Sequence, residues 1–367
     1  MKKKDTETIQ ISTDELNKLE RKRLKRNRRR TTSRAVDRIV GFLVATVIML
    51  GIAALGTEYV FLKGPSPALR EYFAMTFLET RRFRWVPNIF LSEDEVSELK
   101  SMQRQKTEAV FDSSLITIKA KDVEVTETDN SGPQTNEYGD IDEDGDGIIL
   151  EKVTGNGYIG YMIKVLDPKR VFVGRGTNYA LTLEEQCREF NALGGINGGA
   201  FLDQNGGGDG NTPEGLTIID GQVINVGYNS NIVAGLTEDG LLIVGEYNLD
   251  QAVKAGVKSC VSFGPILVSN GSAADVSWIR SGLNPRTAIG QRADGCILML
   301  VIDGRQVHSY GATYRDLQDV MLEYGAVNAV NLDGGSSTTM WFDGAYVNSC
   351  SSANGIARPL PDAFLFR

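Results

Sequence analysis

The stretch Asn328–Trp341, NAVNLDGGSSTTMW, is the part of the sequence that best indicates the fold. An apolar run over Ala326–Leu332 stops at Asp333-Gly334-Gly335, and the four small hydroxyl residues Ser336–Thr339 follow directly. A buried strand that ends in Asp-Gly-Gly must turn sharply, because glycine adopts backbone angles that other residues avoid. The turn would project a carboxylate, backbone N–H groups and hydroxyls from the edge of a sheet, which suits an oxygen-rich, anionic ligand. An ordinary Asp-Gly hairpin turn is the simpler alternative.

Charge is distributed unevenly along the chain. The 367 residues are 41% hydrophobic and 23% charged, which is enough for one large domain with appendages. Residues 1–38 carry 14 Lys and Arg against 6 Asp and Glu, whereas the whole chain has a net charge of −8, so the remainder is strongly acidic. The basic run Arg21–Arg30 fits nucleic-acid binding, but it also fits the flank of a membrane segment. We favour the second interpretation and expect no nucleic-acid partner.

The apolar stretch Val40–Leu55 directly follows the basic region. With its neighbours it reaches about 18 residues, the lower limit for a membrane span. Lys and Arg on its N-terminal side predict a cytoplasmic N-terminus. A cleaved signal peptide is the alternative, but the long basic lead favours an uncleaved single-pass anchor in the cell membrane. We therefore expect a cytoplasmic tail at 1–38, an anchor at 39–62, a stalk and linker at 63–139, and an extracytoplasmic domain at 140–367.

Caps and apolar periodicity predict an α+β fold, with a mixed β-sheet packed with helices and one preceding transmembrane helix. Capping boxes at Ser92–Glu95 and Thr182–Glu185 predict helices that end near Lys106 and at Gly194. A third helix is predicted over Thr313–Tyr324, with Gly325 as its stop. Short apolar runs predict strands over Val110–Lys119, Tyr158–Leu166, Arg170–Val173, Leu216–Ile219, Val223–Val226, Ile232–Leu236, Leu241–Val244, Pro265–Val268, Cys296–Ile302 and Ala326–Leu332.

An acidic segment precedes the strand-rich region. Asp140–Glu151, DIDEDGDGIILE, has Asp at its first, third and fifth positions, Gly at the sixth and Glu at the twelfth, the pattern of a calcium loop. Its eighth position is Gly147, where an apolar residue is usual. A register that starts at Asp142 restores an apolar eighth residue but loses the terminal Glu. Calcium binding is therefore one hypothesis, and a solvated acidic loop is the other.

The inventory of reactive residues excludes several kinds of chemistry. The single histidine, His308, follows a turn at Asp303-Gly304 and is expected to be exposed, which disfavours His-dependent catalysis. No Walker A or dinucleotide fingerprint occurs. The cysteines lack metal-binding spacing and fit either buried free thiols or one or two disulfides; they are Cys187, Cys260, Cys296 and Cys350. The groups that remain available for catalysis or binding are carboxylates, arginines, amides, hydroxyls and glycine backbone.

Seven motifs then occur in a fixed order. They are GGINGGAF at Gly194–Phe201, PEGL at Pro213–Leu216, FGPILVSNG at Phe263–Gly271, NPRTAIGQ at Asn284–Gln291, VIDGRQ at Val301–Gln306, NLDGGSSTTM at Asn331–Met340 and RPLPDAFLF at Arg358–Phe366. Together they resemble the phosphodiester glycosidase family, and the resemblance extends from Gly147 to Arg367. The layout is similar to that of membrane-anchored bacterial members.

The resemblance implies hydrolysis of the sugar C1–O bond of a sugar-1-phosphodiester, such as alpha-N-acetylglucosamine-1-phosphodiester, in cell-wall or exopolysaccharide glycans. Because the leaving phosphate is a weak base, its departure needs little general acid, and a histidine-poor site suffices. The reaction does need positive charge at the phosphate and a carboxylate near the anomeric carbon.

This chemistry lets us assign an expected role to individual residues. Asp333 is our first choice as base or nucleophile and Glu214 the second, while Arg286 and Arg358 would hold the phosphate. The remaining predicted substrate-binding residues are polar side chains and glycines whose N–H groups would face the ligand: Asn197, Gly198, Gly199, Asp303, Gly334, Gly335, Ser336, Ser337 and Asn348. Asp303 also fits a purely structural turn residue.

Two other functions fit the same residues. A metal-dependent phosphodiesterase would cleave the P–O bond, with Asp333 and Asn331 as oxygen ligands. A wall-glycan binding module would keep the cleft without turnover.

Overall fold

The structure is a computed structural model that describes residues 42–78, 85–101, 111–118, 136–176, 180–203, 210–277, 282–352 and 354–367, with the single residues 21, 39, 40, 83 and 279. The chain divides into two compact units, Met1–Gly64 and Pro65–Arg367. Most of the basic run Arg21–Arg30 and of the predicted linker Thr126–Gly139 lies outside the described residues.

In the first unit, helix α1 spans Phe42–Lys63. Its 22 residues are long and apolar enough to cross a membrane, which confirms the predicted N-terminal apolar helix. A helix of this composition fits a membrane anchor or a signal sequence.

The second unit begins with three helices, α2 (Pro67–Leu78), α3 (Pro87–Phe90) and α4 (Glu93–Ser101). The predicted capping box of α4 is present, because the Ser92 and Glu95 side chains each accept the other's backbone N–H. The strand predicted over Val110–Lys119 is wrong for the described residues 111–118, which contain a 3-10 turn at Ser113–Leu115. Asp112 accepts the Ser114 N–H, and such local bonds compete with strand pairing.

Seventeen strands, numbered in chain order over the described residues, form three sheets. The first sheet has the order β1 (Ile148–Gly155), β2 (Tyr158–Val165), β13 (Ile297–Ile302), β12 (Arg286–Arg292), β14 (Ala326–Leu332), β10 (Ile266–Ser269) and β11 (Ser272–Ala273). The second has the order β16 (Ala345–Tyr346), β15 (Met340–Phe342), β4 (Gly194–Asn197), β17 (Ala363–Phe366) and β3 (Val171–Gly174). The third has the order β6 (Gln222–Asn225), β5 (Thr217–Ile219), β9 (Val257–Ser262), β7 (Asn231–Thr237) and β8 (Leu242–Tyr247).

The strand pairs within these sheets are antiparallel. The predicted α+β class is confirmed, although the sheets are more uniform in direction than the mixed sheet we expected. Three helices complete the unit: α5 (Leu183–Glu189), α6 (Leu249–Lys254) and α7 (Tyr314–Glu323).

The register between β12 and β14 positions the site. Both strands are buried along their whole length, as the apolar run of β14 predicted. Thr287 pairs with Leu332, so Arg286 begins β12 beside the point where Asp333 leaves β14. Two motifs that are far apart in sequence therefore meet at one sheet edge.

Two apolar clusters cover the faces of the first sheet. On one face, side chains of all three sheets form a common core, exemplified by Val330, Ile196 and Val261. On the other face, α7 packs with Leu317 and Met321, as its helical periodicity predicted.

Some helix and strand boundaries that we predicted from local sequence signals are wrong. The capping box at Thr182 is present, but α5 ends at Glu189 and Gly194 belongs to β4. Asn191, with φ of 50°, follows the helix end instead. Gly194 is required for another reason, because a Cβ there would lie 2.5 Å from the Trp341 carbonyl oxygen across the sheet. All four cysteines are free thiols, and three of them are buried.

A buried ion network joins the acidic segment to the first sheet. The Asp140 carboxylate contacts Lys164 Nζ and, at 2.6 Å, Arg292 Nη1. Burial opposes ionisation of Asp140, but hydrogen bonds from Lys164, Asn136 and Arg292 hold the pKa of Asp140 below its usual value. Asp140 is therefore a structural counter-ion, so a calcium loop that starts at Asp140 would lose its first ligand to this network.

We expect Asp140→Asn to lower the free energy of unfolding by about 3 kcal/mol near neutral pH, because the buried cations Lys164 and Arg292 each lose one of their two carboxylate partners. Urea unfolding measures this, with the exposed Asp319→Asn as the control. Since the folded pKa of Asp140 is depressed, the stabilisation is present above the unfolded pKa of about 3.9 and is lost as the pH falls through the folded value. A loss below about 1 kcal/mol at pH 7 would contradict the role of this network.

Candidate active site

A cavity of about 700 Å³ lies at the edge of the first sheet where β14 ends. Its charged lining residues are the carboxylates Asp203, Glu214 and Asp333 and the arginines Arg286, Arg305 and Arg358. Its aromatic lining residues are Phe201, Tyr228, Phe263 and Tyr314, and the turn Gly334–Ser337 forms part of its wall. The cavity therefore combines acidic, basic and aromatic groups, as a small-molecule site requires.

Asp333 is half-buried at the end of β14 and lines the cavity. Its Oδ1 accepts the Gly334 N–H at 2.8 Å, and its own N–H donates to the Gly198 carbonyl at 3.2 Å. Desolvation raises the pKa of Asp333 to about 6, although Ser337, Arg358 and the Gly334 N–H oppose the shift. A carboxyl with this pKa is poised to exchange a proton near neutral pH.

The buried side chain of Asn197 forms a hydrogen bond with the backbone of Asp333. Its amide nitrogen donates to the Asp333 carbonyl at 2.7 Å, and its amide oxygen accepts the Thr287 hydroxyl at 2.7 Å and the Thr339 N–H at 3.1 Å. The residue is fully buried and is not part of the cavity wall. Its hydrogen bonds join β4 to the ends of β12, β14 and β15, and the predicted contact of Asn197 with a sugar hydroxyl stays a prediction.

A second buried carboxyl, Asp362, escaped the sequence analysis. Its Oδ1 accepts the Gly199 N–H at 2.7 Å, while its Oδ2 is buried without a hydrogen-bond partner among the described residues. Burial raises the pKa of Asp362 to about 6, and nearby Asp333 adds to this effect. The motif RPLPDAFLF contained this residue, but an Asp before an apolar strand gave no signal that it would be buried.

The glycine N–H groups are directed differently from our prediction. Gly198 and Gly199 donate to the Asp362 carbonyl and carboxylate, so the protein itself uses these groups. Gly334 donates to Asp333 Oδ1, and Gly335 donates to the Pro285 carbonyl at 2.9 Å. The four groups stabilise the turns that carry the carboxylates, and the expected N–H cradle for phosphate does not form.

Arg286 lines the cavity but is 4% exposed. Its Nε donates to the Ala312 carbonyl at 3.1 Å, and its Nη2 donates to the Gly282 carbonyl at 3.0 Å. The guanidinium also stacks on the Tyr314 ring at 4.1 Å. Arg286 therefore contributes positive potential from within the wall, and its fork is committed to backbone carbonyls rather than presented to a ligand.

Arg358 lies on the cavity wall beside two residues that sequence analysis did not select. Its Nη1 forms an ion pair with Asp203 at 3.2 Å, and its guanidinium lies 4.6 Å from the centre of the Phe201 ring. Asp203 follows GGINGGAF after one intervening residue, Leu202, and its place after a glycine-rich motif was the only available signal.

Glu214 lies on the cavity wall with Tyr228. The Tyr228 hydroxyl donates to Glu214 Oε1 at 2.9 Å, and 65% of the Tyr228 side chain is exposed. Glu214 and Asp333 are both half-buried, and both line the cavity.

The remaining predicted residues divide into two groups. Ser336 and Ser337 lie on the cavity wall, and Ser337 donates to Asp333. Asp303 and Asn348 are buried outside it, where Asn348 Nδ2 donates to Asp303 Oδ1 at 3.1 Å. Asn348 also accepts the Met340 N–H, so both ends of its amide are used within the protein. These two residues brace the turn after β13 and lie outside the cavity wall, and their contact with substrate stays a prediction.

His308 is 49% exposed, and its Nε2 lies 3.7 Å from Asp303. It lies outside the cavity wall. In the acidic segment, carboxylate oxygens of Asp142, Asp144 and Asp146 lie within 4.8 Å of one another. Calcium binding at Asp140–Glu151 stays a prediction.

Comparisons with known proteins identify sequence relatives of this chain. The SPbeta prophage-derived uncharacterized protein YomE of Bacillus subtilis (strain 168) is 33% identical over 159 residues, which is 40% of this chain and 24% of that protein. The N-acetylglucosamine-1-phosphodiester alpha-N-acetylglucosaminidase of Bos taurus is 25% identical over 211 residues, which is 50% of this chain and 39% of that protein. The chain thus spans less than half the length of these curated relatives.

A solved structure shares the fold. The catalytic domain of zebrafish N-acetylglucosamine-1-phosphodiester alpha-N-acetylglucosaminidase, auto-inhibited by its pro-peptide, matches with a TM-score of 0.51 and 21% identity. The match covers 60% of this chain and 82% of that chain. Residues 190–367, which include Asp333 and most of the cavity wall, match the family model for phosphodiester glycosidase. Over these residues the chain is therefore similar to the phosphodiester glycosidase family.

Proposed function

We propose that this protein hydrolyses the sugar C1–O bond of a sugar-1-phosphodiester, such as alpha-N-acetylglucosamine-1-phosphodiester. The observation that carries the proposal is the raised pKa of Asp333 in a cavity that three arginines also line. The match of residues 190–367 to the family model for phosphodiester glycosidase and the names of the mammalian and zebrafish relatives support the same reaction.

The proposed chemistry requires two electrostatic features. As the C1–O bond breaks, positive charge develops on the sugar ring and negative charge accumulates on the departing phosphate. A carboxylate near C1 stabilises the first charge and a guanidinium stabilises the second. Phosphate leaves as a monoester, water supplies the oxygen that ends on C1, and the surplus proton of water passes to a carboxylate.

Asp333 is the carboxylate that we assign to C1. In its ionised form it acts either as the base that deprotonates water or as the nucleophile that forms a glycosyl ester. Desolvation makes the ionised form more basic, which favours both roles. Glu214 remains the second choice, since it lines the same cavity and is oriented by the Tyr228 hydroxyl.

The proposal also includes the cellular location of the reaction. We infer that α1 anchors the protein in the cell membrane, with the catalytic unit outside the cytoplasm, where cell-wall or exopolysaccharide glycans supply the phosphodiester. The chain after residue 38 is strongly acidic and would repel an anionic polymer at long range. Recognition would therefore rest on the arginines within the cavity.

Cleavage of the P–O bond with Asp333 and Asn331 as metal ligands has less support. The Asn331 amide nitrogen donates to the Gly264 carbonyl at 2.7 Å, and Asn331 is 1% exposed and lies outside the cavity wall. A ligand at that position would not face a substrate bound in the cavity.

We expect Asp333→Asn to lower kcat on an N-acetylglucosamine-1-phosphodiester by about 10²–10⁴, because the amide can act neither as base nor as nucleophile. The folded state should persist, since Asn preserves the shape and still accepts the Gly334 N–H. Steady-state kinetics on the purified second unit measures the effect, with Asp319→Asn as the exposed control.

Three results would change this assignment. Full activity of Asp333→Asn, together with loss in Glu214→Gln, would transfer the role to Glu214. Loss of wild-type activity on treatment with a chelator would favour the metal-dependent alternative. Binding of the diester without release of sugar by the wild type would leave a glycan-binding module.

The raised pKa predicts a pH dependence. Because Asp333 must be ionised to act, kcat/KM should increase about tenfold per pH unit below pH 6 and level off above it. Stability should change in the opposite direction: a carboxyl with a raised folded pKa stabilises the fold below its unfolded pKa, and this contribution is lost as the pH rises through about 6. Asp333→Asn should therefore flatten the dependence of Tm on pH between pH 5 and 7. A wild-type kcat/KM that is constant over this range would contradict the assignment.

The anchor predicts a topology. Protease added to intact cells should remove the unit after Lys63 and leave the N-terminal tail protected, because basic residues hold that tail on the cytoplasmic side. Epitope tags at residue 2 and at the C-terminus report the two ends. Loss of the tag at residue 2 under conditions in which a cytosolic marker survives would contradict this orientation.

A further inference from the structure

Tyr228 is the most exposed aromatic residue of the cavity wall. It is 65% exposed, whereas Phe201 and Tyr314 on the same wall are 6% and 8% exposed. A large exposed ring is unremarkable when it stands alone on a protein surface, but beside a cavity it is typical of a surface that contacts a ligand. The way in which the protein holds Tyr228 supports the second interpretation.

A single buried amide fixes the backbone of Tyr228. Asn231, which is 5% exposed, accepts the Tyr228 N–H with its Oδ1 at 2.9 Å and donates its Nδ2 to the Tyr228 carbonyl at 2.7 Å. The same Nδ2 donates to the carbonyl of Tyr247 at the end of β8. Gly227 has φ of 68°, and a Cβ there would lie 2.5 Å from Asn231 Oδ1, so the turn requires glycine. The exposed ring is therefore carried by a turn that is attached to the third sheet.

The far end of the Tyr228 side chain is held as well. Its hydroxyl donates to Glu214 Oε1 at 2.9 Å, and the Glu214 N–H donates to the Ala200 carbonyl at 2.8 Å. Hydrogen bonds at the backbone and at the hydroxyl thus fix the direction of the ring. A ring that is already fixed loses little conformational entropy when a ligand packs on it.

The chemistry of the cavity wall differs from one sheet to the other. Two of its three arginines, Arg286 and Arg305, begin β12 and follow β13 in the first sheet. Glu214 and Tyr228 precede β5 and β7 in the third sheet. A carboxylate repels phosphate but accepts hydrogen bonds from hydroxyls. Phosphate therefore suits the side of the first sheet, and a neutral polyhydroxylated ring suits the side of Tyr228.

We propose that the Tyr228 ring packs on the pyranose ring of the substrate and thereby forms the sugar-binding subsite of the cavity. This inference rests on the proposed function for the identity of the substrate. The C–H groups of a pyranose form an apolar face, which the negative π face of an aromatic ring attracts. Because this contact is present both before and during cleavage of the C1–O bond, Tyr228 acts on KM and leaves kcat nearly unchanged.

The test compares Tyr228→Ala, which removes the ring, with Tyr228→Phe, which keeps it. We expect the Kd for N-acetylglucosamine-1-phosphate to increase about tenfold or more in Tyr228→Ala and to stay within about threefold of the wild type in Tyr228→Phe. The Kd for inorganic phosphate should stay within about twofold in both variants, because phosphate does not contact the ring. On the diester, KM of Tyr228→Ala should increase about tenfold while kcat stays within about threefold. Isothermal calorimetry and steady-state kinetics measure these quantities.

Tyr310→Ala is the matched control. Tyr310 is 62% exposed, close to the exposure of Tyr228, and it lies outside the cavity wall. This variant should leave Kd and KM unchanged. Because both rings are largely exposed, Tm of the two alanine variants should stay within about 2 °C of the wild type.

The outcomes distinguish this inference from the proposed function. Tyr228→Ala that binds the sugar phosphate within about twofold of the wild type would overturn the inference, even if hydrolysis is confirmed. The same result with KM increased only for diesters of a large alcohol would also overturn it, and would assign the ring to the alcohol half of the substrate. A wild type whose affinity for the sugar phosphate depends on Tyr228, but which hydrolyses no diester, would refute the proposed function and retain the sugar subsite. A wild type that neither binds nor hydrolyses would overturn both.

Discussion

The buried amide of Asn197 is the interaction on which the site depends. It joins the end of β14 to β12 and β15 through the Asp333 carbonyl, the Thr287 hydroxyl and the Thr339 N–H. These contacts hold the first and second sheets together where the Asp-Gly-Gly turn begins. A buried amide that satisfies three partners specifies one geometry, because any shift of the strands leaves a polar group unpaired. The direction of the Asp333 carboxylate follows from this constraint.

The buried carboxyl groups of the site reduce the stability of the fold. Two carboxyls, Asp333 and Asp362, have pKa values raised to about 6 by burial, and one Asp362 oxygen has no partner among the described residues. The far end of the first sheet is built differently, because Asp140 is fully matched by Lys164 and Arg292. The same fold thus compensates the buried carboxyl that serves structure more fully than the two beside the cavity, which is typical of a catalytic site.

Sequence analysis predicted the parts of this molecule that local signals determine. The strand β14, the helix α7 and the capping boxes at Ser92 and Thr182 follow from periodicity and caps a few residues long. The meeting of Arg286 with Asp333 was not visible, because it depends on the register of strands about forty residues apart. Which arginine faces the cavity, and which glycine N–H groups are already used, likewise follow from tertiary contacts. The ordinary turn residues of VIDGRQ gave no sign that Arg305 has a left-handed backbone beside Gly335.

The central claim is that water attacks the sugar carbon rather than the phosphorus. Hydrolysis of an N-acetylglucosamine-1-phosphodiester in ¹⁸O-labelled water, followed by mass spectrometry of both products, tests it most directly. The account predicts one ¹⁸O atom on the C1 hydroxyl of the freed sugar and none in the phosphomonoester, with short reaction times to limit exchange at C1. Label in the phosphomonoester would show P–O cleavage and would contradict the assignment of Asp333 to the anomeric carbon.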